Sequence, residues 1–292
     1  MRDAAHSSLA SIIAVIWLLI APAQSLAAKE AVDLELVLAV DISLSMDIDE
    51  QRLQRDGYVA ALRHPDVIRA IQSGPQGKIA LTYMEWAGHF IQTVLVPWRV
   101  IANAADANAF ADVLAAQPIR RARMTSISGA IFEARKLFEL SNVESLRRVI
   151  DVSGDGPNNS GTTTIRARDA AVKAGIVING LALVLKRPDG PYSYFDIPNL
   201  DHYYADCVIG GPGSFVLAVT NKREFTTAIR QKMIKEIAGL QRPNDPSVRP
   251  SRSKAGLVHK TQLRLPPPTK RRAKYDCLIG EKRWDQYQSE QW

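Results

Sequence analysis

The stretch Val37-Leu-Ala-Val-Asp41-Ile-Ser43-Leu-Ser45-Met46 sets one carboxylate and two hydroxyls at alternate positions behind an apolar run from Leu34 to Val40. Carboxylate and hydroxyl oxygens are hard ligands suited to magnesium or manganese, and the thiolate or imidazole sets that select zinc or copper are absent from this stretch. The apolar run has the length and Val/Leu content of a strand buried on both faces. In an open α/β sheet, ligands bind at the carboxyl ends of parallel strands, which is where Asp41, Ser43 and Ser45 would emerge. Two serines near an aspartate would equally serve to cap the following helix, so the stretch alone fits either role.

Asp-x-Ser-x-Ser after a hydrophobic strand resembles the opening motif of the von Willebrand factor type A domain, where it begins a metal-ion-dependent adhesion site. Two later stretches extend the resemblance. Arg123-Met-Thr125-Ser-Ile-Ser-Gly129-Ala-Ile131 is similar to the family's threonine loop, and Arg148-Val-Ile-Asp-Val-Ser-Gly154-Asp155-Gly156 to its third, aspartate-bearing loop. All three occur in the family's order. The resemblance implies that Ser43, Ser45 and Thr125 contribute hydroxyls to Mg2+ or Mn2+, with Asp41 and Asp155 binding directly or through water. Glu85, at the end of a strand, and Asn158 and Asn159, close behind Asp155, are candidates for supporting that shell. The Asp-Gly-Pro-Asn-Asn and Cys-Val-Ile-Gly-Gly-Pro-Gly segments resemble a secreted bacterial subgroup of type A domains whose function is unassigned.

Positioning such a site requires alternating strands and helices. Asp47-Ile-Asp-Glu50 has capping-box spacing, and apolar residues recur at helical intervals to Ile71, with Pro65 a place for a kink. Lys78–Trp86 and Phe90–Trp98 read as strands joined by Ala87-Gly-His89, a connection short enough only for an antiparallel hairpin. Helices are expected over Asn103–Gln117, from a Ser128 cap to Leu140, over Thr162–Ala174, over Leu200–Val208, and from an Asn221 cap to Leu240. Strands are expected over Arg147–Ser153, Ile176–Leu185 and Ser214–Val219, with a proline-bearing loop over Pro188–Pro198. The pattern predicts a doubly wound α/β fold. Its sheet would have six mostly parallel strands, one antiparallel edge strand, and helices on both faces. Asp151, inside a buried strand, calls for an ion pair, expected from an arginine.

Domain boundaries follow from composition. Residues 1–27 read as a secretory signal peptide cut after Ala27, with Arg2, an apolar core from Leu9 to Ile20 and small residues around Ala27; the nearly continuous run from Ile12 to Ala23 leaves an uncleaved membrane anchor as the alternative. Residues 30–242 form the expected type A-like domain. Residues 243–292 form a basic, proline-rich tail expected to be flexible, with Trp284–Trp292 a candidate docking segment. The tail carries 11 Lys or Arg against 5 Asp or Glu, so nearly all of the formal charge of +7 resides there. Such a tail can meet anionic surfaces. Outside the cytoplasm it would seldom meet nucleic acid, and no other stretch has the ~20 apolar residues of a membrane span. Cys207 and Cys277 match no metal motif; a disulfide joining tail to domain and two independent thiols both fit.

A hard cation held partly by neutral hydroxyls keeps uncompensated charge, and an outside carboxylate would complete its shell. The resemblance therefore implies a secreted, periplasmic protein-binding module whose metal bridges to an Asp or Glu of a partner, and not an enzyme. Two alternatives stand beside it. One is a phosphohydrolase of the haloacid dehalogenase type, which would need an acid two residues after Asp41, where Ser43 stands. The other is an assembly component of an envelope complex.

Overall fold

In the computed structural model the described residues are 29–185, 196–239 and 273–291. The chain divides into two units, Met1–Glu30 and Ala31–Trp292. The expected signal peptide falls in the first and lies outside the described residues, as do most of the Pro188–Pro198 loop and the tail up to 272.

The second unit is built on an eight-residue strand, β1 (Leu34–Asp41), buried along its whole length. Strands β2 (Ile79–Trp86), β3 (Gln92–Ile101), β4 (Arg148–Gly154), β5 (Ile176–Leu183) and β6 (Val216–Val219) complete a six-stranded sheet in the order β3-β2-β1-β4-β5-β6. β2 and β3 form the one antiparallel pair of this sheet, and the other neighbours are parallel. Pro97 is tolerated because β3 is an edge strand.

Side chains alternate across the sheet and divide the core in two. Leu34, Leu36, Leu38 and Val40 pack on helices α1 (Ile48–Arg63), α2 (Pro65–Gln72), α3 (Ala104–Ala115) and the later α7 (Phe225–Ala238). Val37 and Ala39, with Met84, Trp86, Ile150 and Val152, pack on α4 (Ile127–Glu139), α5 (Thr164–Lys173) and the segment 200–208. That segment is one α-helical turn, α6 (Leu200–Tyr203), running into a π-helical turn, Tyr204–Val208. Each fully buried leucine or isoleucine contributes roughly 1.5–3 kcal/mol, so β1 is held rigidly from both sides. The strand order reverses between β1 and β4, and it is at such a switch point, at the carboxyl ends of the strands, that open α/β sheets take their ligands.

Local chemistry explains most element ends. Asp47 accepts from the Glu50 amide at 2.7 Å while Glu50 accepts from the Asp47 amide at 3.1 Å, the expected capping box. At Pro65 the chain breaks instead of kinking: His64 is extended, and the proline opens α2 at its first turn. Ser126, not Ser128, caps α4, accepting from the Gly129 amide at 3.1 Å. Ser128 lies inside the helix, and its own amide is taken by Asn158. Asn221 caps a short 3-10 turn, Lys222–Glu224, before α7 begins.

Two expectations about charge are corrected. Asp151 is paired with Lys232 of α7 and not with an arginine. Lys232 also meets Glu236 one turn on, and Tyr58 donates to Asp151 at 3.4 Å, so the cluster is wholly buried beneath the sheet. Glu85 is the register partner of Val40, one residue short of Asp41, and points to the opposite face. There it pairs with the buried Arg55, which also donates to the Leu114 and Gln117 carbonyls at 3.1 Å.

The tail, expected without regular structure, carries a helix, α8 (Ile279–Glu290), in its described part. Cys207 and Cys277 are joined, with Cα atoms 5.4 Å apart. Among the described residues no helix is long and apolar enough to cross a membrane.

Candidate metal-binding site

The carboxyl ends of β1 and β4 collect the oxygens. Asp41 is the last residue of β1 and fully buried; its Oδ1 accepts from the Ser43 amide at 2.7 Å, which turns the chain sharply behind the strand. The Ser43 and Ser45 hydroxyls lie 2.8 Å apart, and Ser45 donates to Asp155 Oδ1 at 2.6 Å. Four of the five expected ligand residues are therefore linked by direct contacts between two loops, 110 residues apart at the Ser45–Asp155 bond.

Thr125 joins them through its backbone. Its amide donates to Asn159 Oδ1 at 2.8 Å, and its carbonyl accepts from the Asn159 amide at 2.8 Å. Met124, immediately before it, sits in the left-handed region at φ 71°, a strained placement for a side chain of this size. Ala122 pairs with Ser43, and its amide donates to the Ile42 carbonyl at 2.9 Å. The threonine loop thus runs beside the first loop on one flank and beside the Asp155 loop on the other. Asn158, the second expected supporting residue, accepts from the Ser128 amide at 3.0 Å and pins α4 to the same loop.

Several supporting residues were not singled out from the sequence. Gln54 donates to the Asp41 carbonyl at 3.1 Å and accepts from the Ser153 hydroxyl at 3.0 Å, tying the ends of β1 and β4 to α1. Gln51 donates to the Ser43 carbonyl at 3.4 Å. The available signal was spacing: Gln51 and Gln54 lie on the same inward stripe as Tyr58, Ala61 and Leu62, where a glutamine needs a buried partner.

Gly154 and Tyr204 form the floor. A Cβ on Gly154 would lie 2.9 Å from Asp41 Oδ2 and 2.8 Å from the Tyr204 hydroxyl, so only glycine lets the two approach. Tyr204 is completely buried, and its hydroxyl has no hydrogen-bond partner among the described residues. Burial, then the charges of Asp41 and Asp155, push the phenol pKa well up, which keeps a donor proton on it. A single π-helical turn carries this side chain, a geometry frequent at functional sites.

The donor set fits a hard cation. Oxygens on adjacent corners of an octahedron with bonds of about 2.0–2.1 Å lie roughly 2.9 Å apart. The observed separations along Ser43, Ser45 and Asp155 are 2.8 and 2.6 Å. No group of three or more His, Cys, Asp or Glu suited to a metal occurs among the described residues, so hydroxyls would have to take part in holding one.

A reversed strand order, one antiparallel edge pair and an oxygen cluster at the switch point define an α/β domain of the von Willebrand factor type A-like fold. The solved pilus adhesin SpaC of Lactobacillus rhamnosus GG, in its open conformation, superposes with a TM-score of 0.53 at 11% identity over 72% of this chain and 31% of that one. Proximal thread matrix protein 1 of the mussel byssus gives 0.51 at 12% over 72% and 50%. A von Willebrand factor type A protein of Catenulispora acidiphila gives 0.49 at 13% over 71% and 43%. The chain spans half or less of each of these proteins, and the likeness to the first two is one of fold. By sequence, the chain belongs to the DUF1194 family, proteins of unknown function, whose profile matches residues 31–241. No curated protein matches it.

Proposed function

We propose that this domain is a secreted protein-binding module that uses a divalent cation, Mg2+ or Mn2+, to capture a carboxylate of a partner protein. The observation that carries the reading is the chain of hydrogen bonds Ser43–Ser45–Asp155 at the carboxyl ends of β1 and β4, which gathers two hydroxyls and a carboxylate from two distant loops. Asp41, Ser43, Ser45, Thr125 and Asp155 would hold the ion, directly or through water. The ion would supply an electrophilic corner that a partner's Asp or Glu can fill.

The rim favours an anionic guest. Arg120, Arg121 and Arg123 are all exposed on the loop beside Ser43, and Arg121 donates to the Leu44 carbonyl at 2.6 Å. Arg120 also acts electrostatically on the buried Glu85, and none of the three is in a salt bridge among the described residues. A positive rim speeds association with acidic surfaces and adds specificity more than affinity. Phe90, 86% exposed at the tip of the β2–β3 hairpin, adds an apolar contact point. The neighbouring His89 meets Ser160 of the Asp155 loop at 2.9 Å, which sets this tip beside the same rim. The Cys207–Cys277 disulfide suits an oxidising compartment outside the cytoplasm.

Titration of Mg2+ and Mn2+ into the wild type and an Asp155→Ala variant tests the metal directly. Saturable binding to one site, abolished in the variant, supports the reading; no binding to the wild type refutes it. Retention of an envelope protein that survives chelation and Asp155→Ala alike would refute the bridging role. Phosphate release from model esters, lost in Asp41→Ala, would reinstate the phosphohydrolase.

A further inference from the structure

Beyond residue 241, where the family match ends, the chain returns to the site. Cys277 is bonded to Cys207 of the π-helical turn, the Tyr275 amide donates to Asp206 at 2.7 Å, and the Tyr275 ring packs edge-on against Tyr203 at 5.9 Å. The Tyr203 hydroxyl in turn accepts from the Asn158 amide at 3.1 Å. Two residues of α8 then press on Asn158 itself. Gly280 is buried so closely that a Cβ there would lie 2.0 Å from the Asn158 carbonyl oxygen. Glu281 Oε1 accepts from Asn158 Nδ2 at 2.8 Å, while Oε2 is shielded from solvent with no hydrogen-bond partner among the described residues.

Asn158 is fully buried and reaches three ways: to Glu281, to the Ser128 amide of α4 and to the Thr162 carbonyl. Its neighbour Asn159 holds Thr125 by two hydrogen bonds, and Asp155 lies three residues earlier. A short loop gripped at this one residue has little freedom, so what grips it also fixes Asp155 and Thr125. We propose that Glu281 is a positioning residue of the metal site, acting through Asn158, and that the disulfide-held C-terminal helix clamps the Asp155 loop in its ion-binding shape. The proposal rests on the metal-binding reading above. A group bonded directly to a metal ligand typically changes affinity 10–100-fold, and Glu281, standing further out, belongs at the lower end of that range.

The test uses the full mature chain with its disulfide formed, titrated with Mn2+ by calorimetry, alongside amide exchange of residues 155–160 without metal. Glu281→Ala should weaken Mn2+ about 10-fold or more and speed exchange of those amides. Glu281→Gln, which keeps an acceptor for Asn158, should restore both. Gly280→Leu keeps Glu281 but lifts α8 from Asn158 and should behave as Glu281→Ala does. Asp155→Ala should abolish binding, separating loss of a ligand from loss of its support. Wild-type affinity and exchange in Glu281→Ala and Gly280→Leu would overturn the proposal. If the wild type binds no Mn2+, the metal reading fails by itself, and the exchange of residues 155–160 alone decides whether the helix clamps the loop.

Discussion

Gly154→Ala adds one methyl group where β4 delivers its loop to the site. The backbone there is extended, so alanine meets no conformational penalty, and the whole effect must come from crowding. The new Cβ would lie 2.9 Å from Asp41 Oδ2, 2.8 Å from the Tyr204 hydroxyl and 3.2 Å from Asp41 Cβ. Ordinary contact begins near 3.4 Å, so each oxygen is about 0.5 Å too close. Tyr204 has little room to retreat, because its ring already lies against Gly180, where a Cβ would come within 2.7 Å of it. Asp41 must yield instead. Overpacking of this kind costs about 1–3 kcal/mol. A displacement of about 0.5 Å is also the tolerance within which a binding constellation has to be held. Urea unfolding should show the stability loss, and Mn2+ calorimetry should show affinity at least 10-fold weaker, the lower end of the range for disturbed support of a metal ligand. Wild-type affinity together with wild-type stability would refute the assignment of Asp41 to the ion and the tight packing of the floor alike.

Glu236 predicts a pH dependence. Burial, then the charge of Asp151, raises its pKa to about 7 from an ordinary 4.5, with Lys232 opposing. Between those values the native state holds a proton that the unfolded chain has lost, so stability falls as pH rises through the window, by roughly 3 kcal/mol in all. Urea unfolding at pH 5 and 7.5 should show this slope reduced in Glu236→Gln, and equal slopes would refute it. Replacing Arg120 and Arg123 together by glutamine, with the Arg121 bond to Leu44 kept, should leave Mn2+ affinity intact. It should also slow association with an acidic partner and flatten its salt dependence; an unchanged dependence from 50 to 300 mM salt, roughly a twofold change in screening length, would remove the rim from recognition.

Much of this molecule is legible in the order of its residues, for a physical reason. Strand burial, helix caps and turn chemistry are short-range properties. The eight-residue β1, the Asp47–Glu50 box and the β2–β3 hairpin therefore follow from composition and period alone. Asp41, Ser43 and Ser45 could be read together because a strand end carries them, and Thr125 and Asp155 because their motifs keep a recognisable order.

What escaped is what packing decides. Whether Glu85 faces Asp41 or Arg55 turns on one residue of register between β1 and β2. Ser126 caps α4 in place of Ser128 because Asn158, 30 residues away, takes the Ser128 amide. Nothing local in Gln54, Tyr204 or Glu281 marks them as neighbours of the site. They reach it through the docking of α1, a π-helical turn and a helix closed by the disulfide to Cys207. Residue type at the end of β1, and for Thr125 and Asp155 a resemblance of motifs, nominated the oxygens proposed to hold a cation. Only the tertiary structure decided what holds those oxygens still, because that support comes from segments that meet solely through long-range packing.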